Sequence, residues 1–518
     1  MRKTVVRKNS YYDSVFLMLI SSRVKKLAGI VNVAVLMGTE MNVKLLQEMG
    51  FGGSPVDRAT PNDLIIAVEA ADEKSAAGAV EFAEKVMKEK ESPTGETWQY
   101  RPGSLHAALQ ALPGANLVMI SLPGVFAARE ARRALENNLH VMLFSDHVSL
   151  QDEIELKQLA WGKGLLMMGP DCGTAIINGK PLCFANVVRR GNIGLVGASG
   201  SGIQEVCCNI DRLGGGISQA IGTGGRDLQS PEVGGIMTLM GIKALKNDSQ
   251  TRVIVVLSKP PARDVAERVI STLREAGKPC VVHFVGLEGS GQEGNLWFAG
   301  NLEETSARAL ALAKGEEYKP RLFSISHSEV QEIVQKETSK MGKNQKYLRG
   351  LFVGGTLADE AMILFEKEGI QIFSNHQTRA DLCLKDPRVS KRHTIVDLGD
   401  DAFTVGRPHP MIDPSIREER ILKEMEDPEV AVLLLDMVLG YGAHADPAGA
   451  ISESLLRAKE KAGKKGGHLA IVASVTGTAG DFQNLGEQRT KLERSGCLVM
   501  DSNAQASRLS LEIIRKVA

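Results

Sequence analysis

The chain has 518 residues, of which 43% are hydrophobic and 24% charged, a composition typical of a globular protein with three or four domains. Its 62 Lys and Arg residues balance 62 Asp and Glu residues, so we expect neither nucleic acid nor a membrane surface as a partner. The 7 cysteines are an odd number without C-x-x-C spacing, which favours a reducing cytoplasm and argues against a disulfide framework or a metal site.

The order of the predicted elements divides the chain into four parts and gives an α/β fold class. Residues 1–95 alternate short strands and helices, as in a ferredoxin-like or ACT-like α+β module. Residues 104–190 predict a Rossmann-like domain, because short apolar strands suit a parallel sheet covered on both faces. Residues 191–315 and 347–518 predict two flavodoxin-like, doubly wound parallel-sheet domains. Between them, residues 314–346 predict a charged linker with one helix.

The two flavodoxin-like blocks look like divergent copies of one unit. Each begins with a strand, a small-residue loop and a helix, at Ser199-Gly200-Ser201 in one block and Gly354-Gly355-Thr356 in the other. Each then has a strand that ends in glycine and acidic residues, and an acidic turn before a buried strand. This ordered match predicts that the blocks superpose and that residues 394–398 and 430–435 lie in one parallel sheet.

The Ser199-Gly200-Ser201 loop follows a strand and opens a helix. A helix N-terminus offers unpaired N–H groups and about half a positive charge, which suits an oxyanion. Glycine lets the backbone approach a ligand, and the two serines add donors. A tight turn between strand and helix explains the same residues, so both a phosphate site and a plain turn stay open.

A second glycine loop, Gly440-Tyr441-Gly442, follows a strongly apolar strand and comes shortly before a predicted helix. Doubly wound sheets bind ligands at the carboxyl ends of their strands, so we expect this loop and Ser199-Gly200-Ser201 to hold one anion between them. Gly354-Gly355-Thr356 is a third candidate phosphate loop, although closure of the fold explains it as well. We expect bulky residues at Gly200 or Gly442 to stop turnover without unfolding the protein.

Three side chains near these loops are the candidate catalytic residues: His444, Lys259 and Arg226. His444 is the acid–base candidate, and the two cations are the candidate partners of a bound anion. Cys172 could be a nucleophile if its thiolate were stabilised, but no histidine lies within a few residues of it. Free cysteines commonly belong to the core, so we favour a structural role for Cys172.

These motifs resemble known proteins. Residues 104–315 resemble the alpha subunit of succinyl-CoA synthetase, in which the first part is a CoA-binding domain, and residues 347–518 resemble the carboxyl-terminal domain of its beta subunit. Over nearly its full length the chain is identified as a member of the FdrA family. The stretches that carry this assignment are Asp13-Ser14-Val15, Met37-Gly38-Thr39-Glu40-Met41-Asn42, Phe144-Ser145-Asp146, Lys259-Pro260-Pro261 and His409-Pro410-Met411-Ile412-Asp413-Pro414.

The resemblance to succinyl-CoA synthetase implies a phosphate site at Ser199-Gly200-Ser201 and Gly440-Tyr441-Gly442, on either side of a phosphohistidine. The chain departs from that family in three respects. Residues 289–294 contain no histidine where the family has its phosphohistidine, and no ATP-grasp domain is recognisable in the sequence. The glycine-rich CoA loop is not evident either, so CoA is a candidate ligand and no cofactor is firmly implied.

Membership of the FdrA family implies one subunit of an oxamate carbamoyltransferase complex in ureide (allantoin) breakdown. That complex converts oxalurate and phosphate into oxamate and carbamoyl phosphate, or catalyses the reverse reaction. In the reverse reaction the substrate, carbamoyl phosphate, already carries an activated phosphate. Two alternatives stay open: an acyl-CoA synthetase of the succinate–CoA ligase type with a separate ATP-binding partner, and a non-catalytic scaffold or regulatory subunit. In the enzymatic interpretations we expect a small anionic substrate and hetero-oligomeric partner subunits.

Overall fold

The computed structural model describes residues 1–10, 12, 14–91, 102–286, 291–405 and 407–517. These residues form two compact units, one of Met1–Ala108 with Thr404–Pro408 and the other of Leu109–Phe403 with His409–Ala518. Asp13, and Gly289 and Ser290 of the loop without histidine, lie outside the described residues. In the described parts of the chain, no helix combines the length and the apolar character that a membrane span requires.

The first unit is a small antiparallel sheet covered by helices. Its elements are β1 (Arg2–Arg7), α1 (Ser14–Lys25), β2 (Ile30–Met37), α2 (Glu40–Glu48), a 3₁₀ helix (Val56–Arg58), β3 (Leu64–Ala70) and α3 (Glu73–Glu91). The strand order is β1-β3-β2. One face packs on α1 and α3 through Leu17 and Ala83, and the other packs on Leu46 and Phe51. The predicted α+β module is present, with three strands instead of the four of a ferredoxin-like unit.

A short parallel sheet follows. Its segment comprises α4 (Leu105–Ala111), β4 (Leu117–Ile120), α5 (Gly124–Glu136), β5 (His140–Leu143), α6 (Leu150–Lys163) and β6 (Met167–Met168), with strand order β4-β5-β6. Helix α5 buries a row of alanines, so it lies close to the sheet. Helix α6 buries Lys157, whose Nζ lies 2.8 Å from carboxylate oxygens of both Glu153 and Asp227. This ion pair fastens α6 to the next sheet.

An eight-stranded sheet forms the centre of the second unit. Its elements are β7 (Thr174–Ile177), β8 (Lys180–Cys183), β9 (Arg190–Ala198), α7 (Gly200–Arg212), β10 (Ile217–Gly222), α8 (Arg226–Gln229), α9 (Ile236–Asn247), β11 (Val253–Ser258), α10 (Arg263–Arg274), β12 (Cys280–Phe284), β13 (Gly291–Glu293), β14 (Leu296–Phe298) and α11 (Leu302–Lys314). The order is β13-β14-β12-β11-β9-β10-β7-β8, with β14 to β10 parallel. The β7–β8 hairpin, which we did not predict, lies within the residues 104–190 that we assigned to a Rossmann-like domain, but it belongs to this sheet.

The last sheet has five parallel strands in the order β16-β15-β17-β18-β19. Its elements are α12 (His327–Thr338), β15 (Tyr347–Phe352), α13 (Gly355–Lys367), β16 (Thr394–Asp397), α14 (Asp401–Thr404), α15 (Ser415–Glu424), β17 (Val430–Val438), α16 (Pro447–Lys464), β18 (Ala470–Thr476), α17 (Leu485–Arg494), β19 (Cys497–Met500) and α18 (Asn503–Val517). Strands β16 and β17 lie in one parallel sheet, which confirms the doubly wound prediction.

The two large sheets are joined through matching positions of the predicted repeat. Glu205 is the sixth residue of α7 and Glu360 is the sixth residue of α13. Glu360 accepts from the Leu302 N–H at the start of α11 (2.7 Å), and Glu205 accepts from the Asn503 N–H at the start of α18 (3.1 Å). Each repeat therefore caps the final helix of the other, and one hydrophobic core runs through both.

Candidate active site at two opposed helix starts

The starts of α7 and α13 lie against each other. Ser199, the N-cap of α7, places its hydroxyl 2.7 Å from that of Thr356, and the Thr356 N–H donates to the Ser201 hydroxyl (3.3 Å). A Cβ built on Gly354 would lie 2.9 Å from Ser201 Cβ, so glycine is needed for this close approach. The structure thus brings Ser199-Gly200-Ser201 against its own repeat partner, while an anion shared with the Gly440 loop stays a prediction.

Two helix N-termini in contact concentrate positive potential. Each carries about half a positive charge, so their approach calls for anionic groups in front of them. Within the described residues, no protein acceptor lies within hydrogen-bond distance of the first amides, those of Gly200, Ser201 and Gly355. These three N–H groups are therefore candidate donors to an oxyanion, and phosphate binding at Gly200 and Ser201 stays a prediction.

The turn into α13 is held by a buried carboxylate. Asp436, near the end of β17, accepts from the N–H groups of Val353 (2.9 Å) and Gly354 (2.8 Å). Arg417 on α15 donates to the same side chain at 2.7 Å, and both ionic groups are fully or almost fully buried. Asp436 therefore fixes where α13 begins, which in turn fixes the amide of Gly355.

Three ionisable side chains converge on Gly355. A Cβ on this glycine would lie 2.6 Å from Asp397 Oδ2, 3.1 Å from His376 Cε1 and 3.1 Å from Lys259 Nζ. Lys259 follows β11, Asp397 ends β16, and His376 lies in the irregular segment between α13 and β16. The absence of a side chain at the first position of α13 is therefore what leaves room for a carboxylate, an imidazole and an ammonium group.

His376 lies between carboxylates. Its Nδ1 is 3.1 Å from Asp359 Oδ1, and its Nε2 is 3.2 Å from Asp397 Oδ2 and 3.8 Å from Asp400 Oδ2. Burial disfavours the imidazolium, but the hydrogen bond to Asp359 and the charge of Asp397 outweigh it and raise the pKa of His376. Burial likewise opposes the Lys259 ammonium, yet Asp359 and Asp397 raise its pKa. Both shifts favour the cationic forms of Lys259 and His376.

The cluster continues outward into an acidic rim. Asp146, His147 and Asp401 are exposed, and His147 Nε2 lies 3.3 Å from Asp401 Oδ2. Burial in the concave surface, with the charges of Asp146 and Asp401, raises the pKa of Asp171 to about 6, although Asp171 keeps exposed surface. Ligand atoms of Asp146, His147 and Asp401 lie close enough together for one metal ion. Exposed acidic groups often show this spacing, and we assign no metal here.

The other predicted residues have different surroundings. Arg226 lies beside Glu153 (2.8 Å) and donates to the Val148 carbonyl, so it braces the loop after β5. The Tyr441 N–H donates to the Ala185 carbonyl (2.9 Å), which places the Gly440 loop on the segment after β8. The Asp446 carboxylate caps α16, and His444 Nδ1 accepts from the Asp446 N–H. The Asp446 carboxylate therefore already lies at the N-terminus of α16.

Gly442 is a poor probe of function. Its φ is +78°, and an added Cβ would lie 2.8 Å from the Phe184 ring. A valine at this position would strain the backbone and displace an aromatic side chain. The expectation that bulky residues at Gly442 spare the fold is therefore wrong.

His376, Asp359 and Asp397 were not among the predicted site residues. Asp397 could have been found from the sequence, because it ends β16 and is followed by glycine and acidic residues. Asp359 lies four residues into α13, where a polar residue is unremarkable in a sequence. His376 lies in an irregular stretch, where no periodicity indicates which way a side chain points.

Comparisons with known proteins agree with this architecture. The family model described as CoA-ligase matches residues 351–513, and the CoA binding domain model matches residues 188–286. A third model, described as the AllF heavy metal-associated domain, matches residues 1–102. The chain is 45% identical over 520 residues to the uncharacterized protein YahF of Escherichia coli, with 99% of each chain covered.

More distant relatives match parts of the chain. Subunit alpha 2 of the ADP-forming succinate–CoA ligase of Archaeoglobus fulgidus is 26% identical over 177 residues, which are 33% of this chain and 60% of the relative. Among solved structures, a dinucleotide-forming acetyl-coenzyme A synthetase of Ca. Korarchaeum cryptofilum covers 78% of this chain and 83% of its own at 15% identity, with a TM-score of 0.28. ATP citrate lyase of Methanothrix soehngenii covers 44% of this chain and 45% of its own at 18% identity and a TM-score of 0.34.

Paired doubly wound domains with opposed helix starts, matched by these models, define an α/β protein of the succinyl-CoA synthetase-like class. The similarity to YahF spans both chains. Within that class, the chain belongs to the FdrA family.

CoA is the ligand that two of the matching models name. The CoA binding domain model matches residues 188–286, whereas we predicted the CoA-binding-type domain at residues 104–190. In that predicted Rossmann-like domain, the phosphates of a ligand would lie at the first turn from strand to helix, the start of α5 after β4. There, a Cβ on Gly124 would lie 2.4 Å from the Asp146 carbonyl oxygen and 2.5 Å from the His147 carbonyl, so backbone already covers this helix start. Arg132 and Arg133 on α5 are paired with glutamates. The residues around β4 and β5 do not fit the phosphates of CoA, and we assign CoA no place there.

Proposed function

We propose that this chain catalyses acyl transfer at an acyl phosphate whose phosphate group lies between the starts of α7 and α13. The observation that carries the proposal is the convergence of Lys259 and His376 on Gly355, beside the open amides of Gly200 and Ser201. Two helix ends, an ammonium and an imidazole supply donors for a dianion, and preorganised donors of this kind stabilise developing charge strongly.

The acyl acceptor has two candidates. The CoA thiol is favoured by the CoA-ligase and CoA binding domain matches, and makes the chain an acyl-CoA synthetase of the succinate–CoA ligase type with a separate ATP-binding partner. Oxamate, with carbamoyl phosphate as the acyl phosphate, is favoured by the covered start of α5 and by the lack of histidine in residues 289–294. A ready-made acyl phosphate needs neither a phosphohistidine nor ATP.

Gly355→Ala tests the phosphate site. Its methyl group would fall among the Asp397, His376 and Lys259 side chains, 2.6 Å from the nearest atom, while the backbone φ of Gly355 is not positive. We expect acyl transfer to fall about a hundredfold, the typical cost of losing one preorganised donor. Gly463→Ala, on α16 in open space, is the matched control and should leave the rate unchanged.

The assay combines the full chain, alone and with its co-encoded partners, with succinyl phosphate or carbamoyl phosphate. CoA or oxamate is the acceptor, and products are identified by mass spectrometry. Succinyl-CoA supports the first acceptor and oxalurate the second. A folded wild-type chain that transfers neither group in any combination would leave the scaffold interpretation in its place.

A further inference from the structure

The carboxylates around His376 favour the protonated imidazole and give its two ring nitrogens different partners. Asp359 is 3.1 Å from Nδ1 and fixes the ring, while Nε2 faces Asp397 at 3.2 Å and Asp400 at 3.8 Å. Among the described residues, Lys259 is the cation near the ring, with its Nζ 3.5 Å from Asp359 Oδ2. Three carboxylates against one ammonium favour the imidazolium, in which Nε2 carries a hydrogen and no lone pair.

The charges around His376 distinguish two possible roles of its imidazole, as a phosphoryl acceptor or as a proton donor. A histidine that accepts a phosphoryl group needs a free lone pair and must hold about two negative charges afterwards. As an imidazolium beside Asp397 and Asp400, His376 offers no lone pair at Nε2. A protonated Nε2 beside two open helix starts is suited to donate a proton to an anion.

The chemistry of an acyl phosphate requires such a donor. When the bond between the acyl carbon and the bridging oxygen breaks, the electron pair stays on that oxygen. Without a proton, the leaving group would be the phosphate trianion, which is strongly basic and a poor leaving group. We propose that His376 is the proton donor of this site, and that its Nε2–H protonates the departing phosphate oxygen.

The step balances within the site. The nucleophile forms its bond to the carbonyl carbon, phosphate leaves with the Nε2 proton as hydrogen phosphate, and the imidazole becomes neutral. The proton lost by the nucleophile passes to Asp397, the carboxylate next to Nε2, and from there restores the imidazolium. In the reverse direction, neutral His376 takes the proton of the attacking hydrogen phosphate. This role rests on the proposed function.

His376→Gln is the test variant, and His468→Gln is its matched control. His468 also pairs with a buried carboxylate, at 2.5 Å from Glu337, and its side chain is 17% exposed against 16% for His376. It precedes β18, at the opposite end of the sheet from the site. We expect kcat to fall about a hundredfold or more in His376→Gln, with KM little changed, and both values to stay unchanged in the control.

The pH profile gives the readout that a structural role would not move. Because the acid form of His376 works, kcat/KM of the wild type should fall as the pH rises through the raised pKa of His376. This alkaline limb should be absent in His376→Gln, and free imidazole should restore part of the rate of His376→Ala. An unchanged limb in His376→Gln, or an acid-labile phosphoryl group on His376 in mass spectra, overturns the proposal.

The assay distinguishes failure of the proposed acyl transfer from failure of the proposed role of His376. If the folded wild type transfers no acyl group from any acyl phosphate, the proposed function fails and the role of His376 with it. If the wild type is active and His376→Gln matches it in rate and pH profile, the proposed function stands and only the proton donor is wrong.

Discussion

At the residue scale, Asp436 is the side chain on which the position of α13 depends. Asp436→Asn keeps an acceptor for the Val353 and Gly354 amides but leaves the Arg417 guanidinium buried without its counter-charge. We expect a loss of about 3–5 kcal/mol in unfolding free energy, measured by urea denaturation, because a broken buried pair leaves an uncompensated charge.

An exposed ion pair provides the contrast. Glu267→Gln removes the partner of Arg263, where the two side chains are 67% and 94% exposed, and should change the unfolding free energy by less than about 1 kcal/mol. Equal losses in Asp436→Asn and Glu267→Gln would show that the buried pair does not anchor the turn.

At the element scale, Glu360 on α13 links the two repeats and titrates. Burial raises the pKa of Glu360 to about 7, above the value near 4.5 expected in the unfolded chain. The folded state therefore binds the extra proton between these values, and stability falls as the pH rises through this window.

Glu360→Gln should remove that dependence. The amide keeps an acceptor for the Leu302 N–H, and its NH₂ replaces the oxygen that accepts from Asn503 Nδ2. When the Asn503 amide turns over, that NH₂ can donate to Asn503 Oδ1, which is buried without a partner among the described residues. We expect the variant to be more stable than the wild type at pH 8 by about 2–3 kcal/mol and to show a flatter pH dependence of Tm. A variant less stable at every pH would mean that the charged carboxylate is the better cap.

Strands and helix starts could be predicted where a single sequence pattern, such as an apolar run or a small-residue turn, marks them clearly. The long apolar runs of β11, β17 and β18 and the small-residue turns before α7 and α13 are readable from the sequence, because buried parallel strands and close helix approach demand those residues. The Asn178-Gly179 turn of β7 and β8 carried a hairpin signal that we did not use. Short edge strands such as β13 have exposed, polar residues, so no pattern marks them.

The sequence indicated the backbone of this cluster and one of its side chains, Lys259, but not the others. A loop between strand and helix announces a helix N-terminus, so Ser199-Gly200-Ser201 was found. Which second loop meets it depends on how two domains pack, and the sequence offered both Gly354 and Gly440. His376 reaches Gly355 only because the segment between α13 and β16 folds back on the sheet edge, a path that no local rule predicts.

At the scale of the whole second unit, residues 316–326 connect the two repeats, here called the two halves. Glu205 of the first half and Glu360 of the second form hydrogen bonds from each half to the other. A protease site placed there should therefore be cleavable without separation of the halves, because one hydrophobic core and both helix caps remain intact. We expect the cut chain to elute as one species in size-exclusion chromatography. The same cut in Glu205→Ala/Glu360→Ala should elute as two species if the caps matter.

The contacts between the halves follow the rule of an isologous dimer, in which residue i touches j and j touches i. Ser199 meets Thr356 as Gly354 meets Ser201, and each glutamate caps its counterpart's last helix. The phosphate cradle thus lies on a pseudo-dyad, where a true homodimer would bind an acyl phosphate in either of two orientations. Only the second half supplies Asp359 and His376, so fusion into one chain leaves one productive orientation of the substrate.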